Sequence, residues 1–170
     1  ELPPVLTSPT KREEERTRLQ MEFFSLSDLA EELVQSFQTL AKAQNKPFSS
    51  QIQPELTFHG DERAIGQVIS ILLDNALKYS PPEGAISLTL EKRGRHLHLE
   101  VCNTAASLPS ENLIRLFDRF YRADPSRSSQ TGGYGIGLSI AQAVVAAHRG
   151  EITAFSRDGH SLTVSVHLPA

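Results

Sequence analysis

Apolar residues recur along the chain in two rhythms, one of three to four residues and one of two, and the changes between them mark out its elements. In SLSDLAEELVQSFQTLAKAQNK, Leu29, Leu33, Phe37 and Leu40 fall at helical spacing. Ser25 or Ser27 can cap this helix, with Glu31 or Glu32 in its first turn. FSSQIQPELTFHG predicts two short strands broken at Pro54, and Asp61 then caps a second helix, ERAIGQVISILLDNALKYS, stopped by Pro81 and Pro82. AISLTLEKRGRHLHLEVCN alternates on both sides of Arg93–Gly94–Arg95 and predicts a hairpin. PSENLIRLFDRFYRADPSRSSQTGG predicts a short helix followed by a long polar loop. TGGYGIGLSIAQAVVAAH predicts a helix behind a cluster of glycines, ending near Gly150. A second hairpin, EITAFSRDGHSLTVSVHLP, turns at Asp158–Gly159. Strands that arrive in hairpins with helices between them predict an α+β fold, with helices on one face of a mixed sheet, rather than a regular βαβ alternation.

Composition narrows the picture. The 170 residues are 39% hydrophobic and 22% charged, enough for one core and a single domain. A net charge of −3 gives no general electrostatic case for nucleic acid or an acidic membrane, although local basic clusters can still bind phosphate. Cys102 is the only cysteine, which excludes an internal disulfide, and its place in LHLEVCN reads as a buried structural thiol. His96 and His98 share one face of a strand with no third ligand in view, and read as a solvated face. No apolar run reaches the roughly 20 residues that span a bilayer, and no signal peptide is visible, so the chain reads as soluble, whether or not it comes from a membrane protein. The opening ELPPVLTSPTKREEERT is rich in proline, threonine and charge and reads as a tail or linker.

Two segments carry candidate chemistry. Gly132, Gly133, Gly135 and Gly137 precede an apolar helix. Glycine is costly to order, so such a cluster needs a reason. A glycine-rich loop that feeds a helix N-terminus presents unpaired N–H groups and a favourable dipole to an anion. No GK[ST] follows and no strand directly precedes, so it is neither a P-loop nor a dinucleotide fingerprint. Alone, it reads either as a phosphate site or as a flexible loop opening a helix. In the second predicted helix, Gln67, Ser70, Asp74, Asn75 and Lys78 share one face, and Ile65, Val68, Ile69, Leu72, Leu73 and Ala76 the other. Ile71 lies in the middle of the polar face, which suggests that part of it is covered. Asn75 and Lys78, at i and i+3, can reach one ligand together. An amide oxygen suits Mg²⁺, and a lysine is a point charge for phosphate.

Three segments then fall into a known order. QVISILLDNALKYS resembles the N box of sensor histidine kinases, LIRLFDRFYRADPSR their F box and the start of the ATP lid, and GGYGIGLSIAQAVVAAHRGEI their second glycine box. LTVSVHLP is similar to the strand that ends such domains. The resemblance runs from about residue 24 to the end and favours sensor kinases over the gyrase-like, Hsp90-like and MutL-like members of the GHKL superfamily. It implies a two-layer α/β sandwich of Bergerat type. The sheet would be mixed and mostly antiparallel, of about five strands, with about three helices on one face and a mobile ATP lid. It implies ATP and Mg²⁺ as cofactors. Asn75 would coordinate Mg²⁺, Lys78 would contact phosphate and Tyr79 would lie near the nucleoside. Phe117 and Phe120 would anchor the lid, with Arg119, Arg122 and Arg127 near the phosphates. Gly133, Gly135, Ile136, Gly137 and Leu138 would close backbone over the triphosphate, and Asn103 and Leu108 would hold the base.

The resemblance also implies partners: a histidine-bearing dimerisation domain of the same protein and a response regulator receiver domain. No nucleic acid and no membrane contact are implied for this domain. It would be cytoplasmic, part of a homodimeric parent in the bacterial inner or plasma membrane, and monomeric by itself. Residues 1–22 would be a linker or the end of the dimerisation domain, with the catalytic domain over 23–170. No H-E-x-[RK]-x-P-like motif is present, so the chain alone is expected not to autophosphorylate, and no residue of it is expected to be catalytic beyond positioning ATP. The first glycine box departs from the family's D-x-G-x-G-I. Asn103 stands for the aspartate, at about half the hydrogen-bond strength of a charged acceptor. Ala105 and Ser107 stand for glycines, at a cost of about 1 kcal/mol wherever positive φ is required. Ile71 stands where the family often has asparagine, and His160 where a glycine is common. Two readings follow: a working ATP-binding domain with a substituted base pocket, or a degenerate one that serves as a regulatory or scaffolding module.

Overall fold

The computed structural model describes residues 19–105 and 134–170, with backbone alone for residues 134–136. Its elements follow in order as β1 (Met21–Ser25), α1 (Leu26–Ala43), β2 (Phe48–Ile52), β3 (Thr57–Asp61), α2 (Glu62–Tyr79), β4 (Ile86–Arg93), β5 (His96–Thr104), α3 (Tyr134–Ala147), β6 (Glu151–Phe155) and β7 (Ser161–Pro169). Five strands form one open sheet in the order β2-β4-β5-β7-β6. Only β2 and β4 are parallel in it; the other pairs are antiparallel. The mixed α+β layer expected from the hairpins is therefore present, and β1 and β3 add a small antiparallel pair outside it.

Local chemistry sets the boundaries. Ser25 caps α1 by accepting from the Asp28 N–H at 3.1 Å, and the acid of the first turn is Asp28 rather than Glu31 or Glu32. Ser27 lies inside the helix, where its hydroxyl donates to the Gln53 carbonyl (2.6 Å) and accepts from the Leu56 N–H (2.9 Å). Gly94 (φ 60°) and Gly159 (φ 78°) turn the two hairpins in the left-handed region that suits glycine. The core lies between the helices and one sheet face. Ile65, Val68, Ile69, Leu72, Leu73 and Ala76 of α2 are all buried, as their spacing predicts. They meet Ile86, Leu88 and Leu90 of β4, Leu97, Leu99 and Val101 of β5, and Val164 and Val166 of β7. Each such fully buried aliphatic side chain contributes about 1.5–3 kcal/mol.

The opposite sheet face corrects two expectations. His98 is not solvated: it is only 4% exposed. Strand pairing sets His167 opposite it, and the two rings stack at 4.3 Å with an interplanar angle of 4°. The His98 Nε2 lies 2.8 Å from the Ser165 hydroxyl. Cys102 lies on this same face and is half-buried rather than enclosed. Period-two alternation correctly puts both residues on one face, but cross-strand neighbours decide what covers each.

Burial pushes the His98 imidazole below its ordinary value of 6.5, with the Arg93 guanidinium and His167 acting in the same direction. Below pH 6.5 the unfolded chain therefore binds a proton that the folded chain resists. Stability is full above that pH and falls as the pH drops through it. Melting temperature is expected to decline between pH 7.5 and 5, and His98→Gln to flatten the decline. Parallel slopes in thermal melts of the two proteins would exclude His98 as its source.

Candidate functional site

The site is built where α2 and α3 lie side by side, and their alignment is fixed near both ends. At the start of α2, Asp61 Oδ1 accepts from the Ala64 N–H (3.0 Å) and Oδ2 from the Gln20 N–H (2.8 Å). Burial opposes ionisation of this carboxyl, but those hydrogen bonds outweigh it and hold its pKa below 3.8. The Asp61 N–H donates to His148 Nε2 at 3.0 Å, and His148 Nδ1 donates to the Val144 carbonyl at 2.8 Å. An amide can only donate and a carbonyl can only accept, so the two partners set the tautomer. There is no room here for a larger Gly60: a Cβ would stand 2.5 Å from the Phe58 ring and 2.8 Å from that of His148.

Towards the other end, a Cβ on Gly137 would stand 3.5 Å from Ile71 Cγ2. From Asp61 to Ile71 is ten residues, about 15 Å of helix, and from His148 back to Gly137 eleven, about 16 Å. The helices are thus antiparallel, and the glycine-bearing start of α3 lies against the second half of α2. Ile71 forms the surface beneath that start, which accounts for an apolar residue on an otherwise polar face. Asn75 follows one turn later and is buried, with 8% of its surface exposed. Its Oδ1 is wholly enclosed and has no hydrogen-bond partner among the described residues. Lys78 pairs with Asp74 at 3.1 Å, and Tyr79 is half-buried.

The sheet brings the base-pocket candidate to the same end of the sandwich. Asn103 is buried on the helix-facing side of β5 and pairs in register with Ile86, the first residue of β4 after α2. Hydrogen bonds between Thr104 and Ala85 tie the end of β5 to the loop leaving α2. Asn103 Nδ2 donates to the Thr104 carbonyl at 2.9 Å, which leaves Oδ1 as its acceptor. Ala105 is not among the described residues with positive φ, which besides glycines are Asn45, Glu55, Glu83 and Arg149. An alanine in place of glycine therefore carries no backbone strain at that position.

Leu108, Phe117, Arg119, Phe120, Arg122, Arg127 and Gly133, together with Ser107, lie outside the described residues. Gly135 and Ile136 form the first turn of α3, and Leu138 is buried just behind them. Sequence reasoning missed two residues. One is His148. The other is Lys46, whose ammonium donates to the carbonyls of Leu77 (2.5 Å) and Ser80 (3.0 Å) at the C-terminal end of α2. Desolvation holds the Lys46 pKa below 10.5. The only local signal was a lysine before proline at the foot of a strand.

No group of three or more histidine, cysteine, aspartate or glutamate side chains is placed to hold a metal among the described residues. No described helix is long and apolar enough to cross a membrane. Residues 60–170 match the family described as histidine kinase-, DNA gyrase B- and HSP90-like ATPase. The sensor protein DltS of Streptococcus agalactiae is 32% identical over 164 residues, covering 96% of this chain and 41% of the relative. The sensor protein VanS of Enterococcus faecium is 40% identical over 116 residues, 68% of this chain and 30% of the relative. The chain thus spans less than half the length of these curated relatives. Among solved structures, the catalytic domain of the histidine kinase ThkA superposes with a TM-score of 0.78 at 23% identity, covering 88% of this chain and 95% of that one. A structure of ThkA in complex with the response regulator TrrA superposes with a TM-score of 0.75 at 23% identity, covering 94% of this chain and 45% of that one. The chain belongs to the histidine kinase-, DNA gyrase B- and HSP90-like ATPase family, and within it is related to the sensor proteins of histidine kinase type.

Proposed function

We propose that this chain binds ATP with Mg²⁺ and presents the γ-phosphoryl group to a histidine on a separate dimerisation domain, for relay to a response regulator. The observation that carries the proposal is the enclosed Oδ1 of Asn75, which has no hydrogen-bond partner among the described residues. A buried acceptor without a donor costs about 1–3 kcal/mol. A fold retains such a group where a ligand satisfies it, and a neutral amide oxygen is a suitable ligand for a hard cation. Asn75 would hold the Mg²⁺, which would supply charge neutralisation to the phosphates.

The chain's own residues supply the rest. Lys78 is held beside Asn75 by its ion pair with Asp74, and exchanges that carboxylate for phosphate. The first turn of α3 offers main-chain N–H groups that no helical carbonyl can use, and the positive end of the helix dipole lies there. The Asn103 oxygen accepts from the base. Phosphoryl transfer asks for such positioning and charge neutralisation more than for covalent chemistry by the protein. The attacking histidine comes from elsewhere, which makes this a positioning domain. The absence of strain at Ala105 favours retained binding over the degenerate reading.

Titration with a fluorescent ATP analogue is expected to show saturable binding that strengthens when Mg²⁺ is added. Asn75→Ala should remove the Mg²⁺-dependent part, of order tenfold or more. Lack of binding at millimolar nucleotide would establish the scaffolding alternative instead. In the absence of nucleotide, Asn75→Ala should leave the unfolding free energy within about 1 kcal/mol of the parent, or raise it, since it removes an unsatisfied group. A denaturant melt checks this, and a loss above about 3 kcal/mol would mean that the amide is satisfied within the apo fold. Incubated alone with ATP and Mg²⁺, the chain should acquire no acid-labile phosphate.

A further inference from the structure

Asn75 and Lys78 lie in the last two turns of α2, where the helix dipole is negative. A polyphosphate drawn to this end approaches a set of carbonyl oxygens, which is the electrostatically unfavourable end of a helix. Lys78 faces the ligand side and is already shared with Asp74. Lys46 arrives from the opposite direction, out of the loop between α1 and β2, and places its ammonium on the Leu77 and Ser80 carbonyls. Leu77 lies only two residues, about 3 Å of helix axis, beyond Asn75.

The surrounding bonds show that this placement is built. The Lys46 N–H donates to the Ala41 carbonyl at 2.9 Å, which fixes the lysine at the end of α1. The next carbonyl, of Pro47, accepts from the Ile86 N–H at 2.8 Å, which ties the same loop to the start of β4. Lys46 is partly buried, and desolvation works against its charge. The Ser80 hydroxyl donates to the Leu77 carbonyl as well (3.2 Å), and the Ser80 N–H closes the last turn on Ala76 (3.2 Å). Neutral donors are thus already in place at this end. What the ammonium adds is charge.

We propose that Lys46 is a positioning residue for the polyphosphate. Its ammonium offsets the negative end of α2, so that Asn75 and Lys78 can receive a triphosphate there. Lys46 touches neither nucleotide nor metal; it acts through the helix. This inference rests on the ATP-binding reading above and specifies how the same site tolerates its ligand's charge.

The test is a ladder of ligand charge. Calorimetric titration of the 170-residue chain with ATP, ADP and adenosine, the nucleotides with Mg²⁺, is compared between the parent, Lys46→Met and Lys46→Arg. The neutral variant is expected to weaken ATP by about tenfold and ADP by about threefold, and to leave adenosine unchanged. The arginine variant should stay within about twofold of the parent for all three. Raising the salt from 0.05 to 0.5 M, a range in which the screening length falls several-fold, should narrow the gap for ATP. If Lys46→Met does not fold, Lys46→Gln, which keeps a donor without the charge, carries the same comparison. A loss of equal size for all three ligands, or none, overturns the proposal and leaves Lys46 as a clamp of the fold. A parent chain that binds none of the three overturns the ATP reading and the proposal with it. That pattern is distinct from a parent that binds and a variant without the ladder.

Discussion

The imidazole of His148 joins the end of one helix to the start of another, and the geometry of the candidate site follows from that contact. With Asp61 and Val144 as its two partners, the ring fixes where α3 stops against α2. The rest is helix arithmetic: counting back along α3 and forward along α2 brings Gly137 to Ile71. A slip of one residue along either helix would rotate its facing side chains by about 100° and carry the glycines off the Asn75 side. The lack of space for a Cβ at Gly60 adds a steric limit to the hydrogen bonds, because the ring is wedged against Phe58 and the β3 backbone.

Much of the architecture was legible in the sequence because its causes are local. The α2 face that packs on the sheet could be named residue by residue, since a period of 3.6 and burial are the same fact seen twice. Asp61 as a cap and Gly94 and Gly159 as turns depend on a few bonds each. β1 was harder to see. MEFFS is short and follows a charged stretch; in it Phe24 is buried while Phe23 is 78% exposed, and only pairing with β3 makes it a strand. His98 and Cys102 mark the same limit on the open sheet face. Their side was readable, but what covers His98 is Ser165 and His167, more than sixty residues further on, and Cys102 is paired across the sheet with Ser87 and Thr163.

The site divides along the same line. Asn75 and Lys78 could be paired from spacing, because both lie on one helix. That Asn103 shares their end of the sandwich depends on the register of β4 with β5, which hydrophobic alternation alone does not number. Lys46 and His148 each reach a partner far away in sequence, 31 residues on for Leu77 and 87 residues back for Asp61. AQNKPF offers only a lysine before a proline, and VVAAHRG no local signal, for those contacts. Charged or polar groups that stabilise a distant backbone end are, in general, the part of a site that a sequence conceals, since they carry no period and bind no ligand.

What remains is a contrast within one helix. The lower half of α2 has a satisfied cap, a continuous apolar face and an exposed polar one, with Gly66 its one weak helix former. The upper half departs from this pattern, with an isoleucine on the polar face and a buried amide oxygen that has no partner among the described residues, and it carries a lysine ammonium against its last carbonyls. The first two departures cost free energy if the helix is considered alone, whereas an ammonium at the negative end of a helix dipole is favourable. Together they give this end of α2 a floor for close-approaching backbone, an amide oxygen without a partner among the described residues, and positive charge where a helix is ordinarily negative. Local inconsistency of this kind concentrates where function overrides folding, and here it concentrates within ten residues of one helix, opposite the glycines of another.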